Sequence, residues 1–141
     1  MGSIPSSLPA PNRAKKTTIL LVEDDPFQAF AHRAVLERSF ASIERAGDAS
    51  EALIRVVEPG FVDTLALIVV GLRLPGLAGP AFVAELTARL PRMPVLVVGR
   101  GSETASNYSG ENVKFLPGDA SAEDLLAAVK GQLAEGLRRV A

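Results

Sequence analysis

The 141-residue chain has no cysteine and no tryptophan, one tyrosine and one histidine. Without cysteine there is no disulfide framework, thiol nucleophile or zinc–thiolate centre. A lone histidine, His32, is too little for a histidine-built metal centre or a histidine-dependent triad. It falls mid-helix with no other ligand-type residue at helical spacing, so a surface or helix-packing role is expected for it. No apolar run approaches the roughly 18 residues of a membrane span, and no charged-then-apolar leader opens the chain. A soluble, cytoplasmic protein is expected. Excess charge is missing too, because 15 Lys and Arg oppose 16 Asp and Glu for a formal net charge of −1. Nucleic-acid binding relies on clustered cations that neutralise phosphates, so neither nucleic acid nor a membrane is an expected partner.

Aliphatic residues fill the gap left by the aromatics. Hydrophobic residues make up 48% of the chain and aromatic ones only 5%, the composition of a Val/Leu/Ala core between a sheet and its helices. The longest buried-strand signal is Leu65–Val70, six apolar residues in a row, the pattern of a strand covered on both faces of a parallel sheet. It stops at Gly71, and Pro75, Gly76 and Gly79 mark a loop.

Residues 1–16 are rich in Ser, Pro and small side chains and end in Arg13, Lys15 and Lys16, the composition of a flexible tail. The folded domain is assigned to residues 17–141. Thr17–Val22 is a first strand. Asp25 is positioned as an N-cap with Pro26 at the first helical position, and Phe27, Phe30, Ala31, Ala34 and Val35 give an amphipathic helix to about Ser39. Phe40–Ala46 is a weaker, edge-like strand. Asp48 or Ser50 caps a second helix with Ala52, Leu53, Val56 and Val57 on its apolar face, stopped by Pro59-Gly60. Pro80 opens a third helix with Phe82, Val83, Leu86 and Leu90, closed by Pro91. Pro94–Val98 is a fourth strand. Residues 103–112 form a poor helix, since Thr, Ser, Asn and Gly weaken helices. Val113–Pro117 is a fifth strand. Ser121 with Asp124 makes a capping-box-like start to a last helix carrying Leu125, Leu126, Val129, Leu133 and Leu137.

Five strands alternating with helices imply βαβ units with right-handed crossovers. The expected fold is an α/β, flavodoxin-like doubly wound (βα)5 sandwich. Its five-stranded parallel sheet has the order 2-1-3-4-5, and its fourth helix is shortened or irregular. The switch point then lies between strands 1 and 3, so Glu23, Asp24 and Gly71 share one carboxyl-terminal edge.

The segments Ile-Leu-Leu-Val-Glu-Asp-Asp-Pro, Val-Val-Gly-Leu-Arg-Leu-Pro-Gly, Pro-Val-Leu-Val-Val-Gly and Lys-Phe-Leu-Pro-Gly-Asp resemble the receiver domain of two-component response regulators, over roughly Thr17–Leu133. The resemblance implies that the acidic pair which holds Mg²⁺ in that family is Glu23 and Asp24. It also implies that the phosphoacceptor position is Gly71, the hydroxyl position Gly99 and the lysine position Gly118, followed by Asp119. Three reactive positions therefore carry no side chain. Phosphoryl transfer needs a nucleophile in line and cations on the developing charge, and glycine supplies neither. Metal binding is expected to be absent, or at most weak at Glu23 and Asp24, and no cofactor is expected. Arg73, and with weaker geometry Arg100, are candidate stand-ins for the missing cation, although a solvated loop arginine is the plainer reading of each, and Asp25 is a substitute acceptor disfavoured by its cap role. Phe115 fills the family's aromatic reporter position, where strand packing is the plainer role. The interval from Gly99 to Gly118 is roughly three residues shorter than is usual in the family, close to one helical turn of ~3.6 residues.

On this resemblance the chain is expected to be a stand-alone, phosphorylation-independent pseudo-receiver, not an enzyme, which works by protein–protein interaction in phosphorelay signalling. Its implied partners are a histidine kinase, a phosphotransfer protein or another receiver. Phe27, Gln28, Ala31 and Ala34 occupy the docking face of the first helix, with a staple against the fold as the alternative for Phe27. A homodimer is common in the family, and the altered segment around Tyr108 counts against it. Two alternatives are a receiver with a non-standard phosphoacceptor and a small-molecule sensor that uses the glycine-lined edge.

Overall fold

A computed structural model of the chain describes residues 18–71, 78–99, 108 and 110–140. The elements follow the chain as β1 (Thr18–Val22), α1 (Pro26–Leu36), β2 (Ser42–Ala46), α2 (Ala49–Arg55), α3 (Pro59–Thr64), β3 (Leu65–Val70), α4 (Ala78–Arg89), β4 (Val95–Val98), β5 (Val113–Leu116) and α5 (Ala122–Val140). All five strands are parallel, in the order β2-β1-β3-β4-β5. This is the flavodoxin-like arrangement expected from the sequence, with β1 inside the sheet and β2 at one edge. The irregular fourth helix was expected at 103–112, which lies largely outside the described residues, as do the tail of residues 1–16, Arg73 and Arg100.

Strand alternation sorts the core into two layers. Leu20, Val22, Ile68, Val70, Val95 and Val97 face Ala52, Val56, Phe82, Val83 and Leu86 on one side of the sheet. Ile19, Leu21, Leu67, Val69, Leu96 and Val98 face Leu36, Leu125 and Val129 on the other. Successive side chains of a strand point to opposite faces, so a run such as Leu67–Val70 buries all its residues only when both faces are covered. The pairing of β1 with β3 slips by one residue, since Thr18 faces Leu65 whereas Ile19 faces Leu67. Ala66 is the extra residue, and the bulge lets Leu65 and Ile68 share a layer.

Local chemistry places the helix starts. The Asp25 carboxylate accepts the Phe27 N–H at 2.9 Å with Pro26 beginning α1, and Asp48 accepts the Glu51 N–H at 2.8 Å at the head of α2. At α5, Ser121 Oγ accepts the Asp124 N–H at 3.1 Å while Asp124 Oδ2 accepts the Ser121 N–H at 3.3 Å, so Asp does the work of Glu in a capping box.

Two expectations need correction. Pro59 and Gly60 do not simply stop a helix, because Pro59 opens α3, where its missing N–H costs nothing. Arg55 ties α3 back, with its guanidinium 4.3 Å from the Phe61 ring centroid and within 3.3 Å of Glu44 and Glu58. Val57 lies beyond α2 and is exposed. The second correction concerns α1, whose buried residues are Ala29 and Leu36. Phe27, Phe30, Ala31 and Ala34 are exposed, and Val35 alone of the expected stripe packs on the core. Phe27 is therefore not a staple against the fold.

Candidate functional site

The sheet brings the carboxyl ends of β1, β3, β4 and β5 to one edge, and with them Glu23, Asp24, Gly71, Gly99 and Gly118. Backbone hydrogen bonds extend the ladders past the strands: Glu23 N–H to Ala46 O at 3.0 Å, Gly71 N–H to Val22 O at 2.8 Å and Gly99 N–H to Leu116 O at 2.8 Å. Gly71 and Gly99 are buried, and Gly118 is exposed.

Alternation along β1 decides what its acidic pair does. Leu21 points to the α1 side, so Glu23, two residues on, points there too. Its carboxylate is fully buried, with Oε1 3.4 Å from Nδ1 of His32 on α1 and Oε2 3.4 Å from the Asp25 N–H. The main chain of Glu23 is clamped as well: Arg45 on β2 donates to its carbonyl from Nε at 3.1 Å and from Nη2 at 2.9 Å. Asp24 is exposed.

The Mg²⁺ that the family resemblance implies needs several oxygens in near-octahedral array. Here one acid lies beneath α1 against His32, and the position after β3 carries no side-chain oxygen. Among the described residues no group of three or more His, Cys, Asp and Glu side chains clusters as a metal site. The residues present do not fit the ion, and no chemistry is derived through it. Asp25 holds an amide at the head of α1.

The glycine positions at the far end are not vacant space. A Cβ added to Gly99 would overlap Cζ of Phe115 and lie 2.9 Å from its Cε1, and a Cβ on Gly118 would overlap the carbonyl oxygen of Gly99. Phe115 packs with Tyr108 against the α2–α4 layer, their ring centroids 6.0 Å apart and their planes at 26°. Packing on the strand accounts for this ring, as its plainer role predicted.

On α1 the structure exposes Phe27, Gln28, Ala31 and Ala34, and Phe30 beside them. Phe27 is 86% and Phe30 78% exposed, the two most exposed large apolar side chains among the described residues. Phe30 was hidden within the apolar periodicity. The partnership of His32 with Glu23 and the Arg45 clamp were also missed. The β1–β2 register, which sets Leu21 opposite Arg45, is the signal that could have found the clamp.

The chain belongs to the response regulator receiver domain family, whose profile matches residues 19–130. Among solved structures it is similar to the CheY-like response regulator receiver domain protein of Methanospirillum hungatei JF-1. The TM-score is 0.73 and the identity 21%, over 87% of this chain and 98% of that one. It is also similar to the receiver domain of an HD domain-containing protein from Pseudomonas fluorescens Pf-5, with TM-score 0.74, 19% identity and coverage of 87% and 98%. A third similar structure is the receiver domain of a signal transduction histidine kinase from Syntrophus aciditrophicus, with TM-score 0.70, 22% identity and coverage of 84% and 91%. At these identities the likeness is one of fold. No curated protein sequence matches the chain significantly. Among the described residues no helix is long and apolar enough to cross a membrane. The chain is thus a receiver domain of two-component signalling, a class that signals through protein contacts.

Proposed function

We propose that this receiver is a pseudo-receiver that works without phosphorylation, as a binding module and not an enzyme, and that it docks partners of two-component signalling on α1. The observation that carries the docking is the stripe Phe27, Phe30, Ala31 and Ala34. Spacing of three, four and seven residues puts these side chains on one helical face, and that face is in solvent. A folded protein rarely leaves two phenylalanines so exposed on one helix without a use for them. Aromatic side chains beside alanines suit a partner helix, with the rings as knobs and the alanines admitting its backbone. Loss of the phosphoryl switch is supported by glycine at 71, 99 and 118 and by the engagement of Glu23 with His32.

Two measurements test this reading. Incubation of the whole chain with acetyl phosphate and Mg²⁺, followed by intact mass spectrometry, is expected to give no phosphate adduct. An adduct on the folded protein overturns phosphorylation independence. Titration of the wild type and of Phe27→Ser/Phe30→Ser against histidine kinases, phosphotransfer proteins and receivers of the source organism tests the docking. Binding that is lost by about 30-fold or more in the variant is expected, since buried aromatic anchors contribute roughly 2 kcal/mol or more. Binding that is indifferent to both rings removes α1 as the surface.

A further inference from the structure

We infer that Phe115 is the built-in occupant of the β4–β5 end of the site: its ring takes the volume that a side chain at position 99 would fill. Gly99 and Gly118 are in turn the residues that admit this packing.

Three observations converge on this unit. A Cβ at Gly99 meets the far end of the Phe115 ring on three of its carbons, Cζ, Cε1 and Cε2, the last at 3.3 Å. The ring is backed by Tyr108, stacked at 6.0 Å, and both lie against the buried layer of Val95, Val97 and Phe82. The loop after β5 approaches so closely that a Cβ at Gly118 would strike the Gly99 carbonyl. A side chain at 99 forces the ring to shift, and a shifted ring disturbs its stack on Tyr108. Close-packed interiors do not absorb such a change gradually, so this end holds one arrangement with no ligand needed to select it. Among the described residues the ring already fills the space beside Gly99, which argues against a sensor site lined by Gly99 and Gly118.

Composition supplies the probe. Tyr108 is the only tyrosine and the chain has no tryptophan, so near-ultraviolet circular dichroism at tyrosine wavelengths reports the Tyr108 environment selectively. The experiment is a double-mutant cycle on the whole chain with Gly99→Ala, Phe115→Ala and the double variant. Gly99→Ala alone is expected to lower Tm by about 5 °C or more, the effect of overpacking, and to change the tyrosine signal. In the Phe115→Ala background the same substitution is expected to lower Tm by less than half as much. Equal Tm losses in the two backgrounds overturn the inference, as does an unchanged Tyr108 signal in Gly99→Ala. Should Gly99→Ala fail to fold, a folded double variant supports the inference. An unfolded double variant beside a folded Phe115→Ala refutes it.

Discussion

Two Gly→Ala substitutions, chemically identical, are expected to move stability in opposite directions. Gly131 lies on the exposed face in the middle of α5, and a Cβ there has no heavy atom within 4 Å. Alanine at that position removes backbone freedom from the unfolded chain and adds no clash, which stabilises a helix interior by roughly 0.8–1.0 kcal/mol. Gly118 offers no such space, because its added Cβ would overlap the Gly99 carbonyl oxygen and lie 3.3 Å from the carbonyl carbon. Both of those atoms are backbone, so no rotamer change relieves the overlap, and either β4 or the loop after β5 must move. Overpacking of this kind costs about 1–3 kcal/mol. A folded unit of about 120 residues has an unfolding entropy near 0.25 kcal/mol/K, so 1 kcal/mol shifts Tm by about 4 °C. Gly131→Ala should therefore raise Tm by about 3–4 °C and Gly118→Ala should lower it by about 4–12 °C. Differential scanning calorimetry on the two variants and the wild type decides the matter. Gly118→Ala melting within about 2 °C of wild type refutes the close approach of β4 and the β5 loop.

Other outcomes follow from the same geometry. Phe27→Ser and Phe30→Ser, singly or together, should change urea-unfolding stability by no more than about 0.5 kcal/mol, because neither ring is packed on the core. A larger loss refutes their exposure. His32→Leu should destabilise the fold by about 1–3 kcal/mol despite its greater apolarity, since it removes a polar neighbour of the buried Glu23 carboxylate. Unchanged stability in urea contradicts that contact. Asp48→Ala should cost about 1 kcal/mol through the lost bond to the Glu51 amide, whereas Asp48→Asn keeps the cap and should stay within a few tenths. Equal losses in thermal melts discount the cap.

The strands were legible because burial on both faces leaves a strong mark. Leu65–Val70 matches its predicted limits, and the sheet order follows from β-helix-β connectivity. The first helix was legible in extent and capping but not in orientation. Phe27, Phe30, Ala31 and Ala34 repeat at helical spacing, and so do Ala29, His32 and Leu36. Periodicity reveals a face without saying which way it looks, and in α1 the bulkier set looks outward. That Glu23 and Asp24 follow the first strand was legible, yet the burial of Glu23 depends on strand alternation joined to a histidine nine residues away. The fit of Phe115 against Gly99 and Gly118 is a matter of ångströms between segments distant in sequence, which no composition or spacing records.

The place of β1 between β2 and β3 has a consequence for synthesis of the chain. Thr18 pairs with Ser42 on one side and Leu65 on the other, so one edge of β1 stays open until β3, which follows β2 in the chain, has been made. At about 5–20 residues per second, several seconds pass between the emergence of β1 and that of β3. During that interval Ile19, Leu20, Leu21 and Val22 form a short aliphatic strand with an open edge, the kind that chaperones bind and that recruits other chains. Rearranging the gene so that translation begins between β2 and β3, with the original ends joined, would let the strand that β1 needs be waiting when β1 arrives.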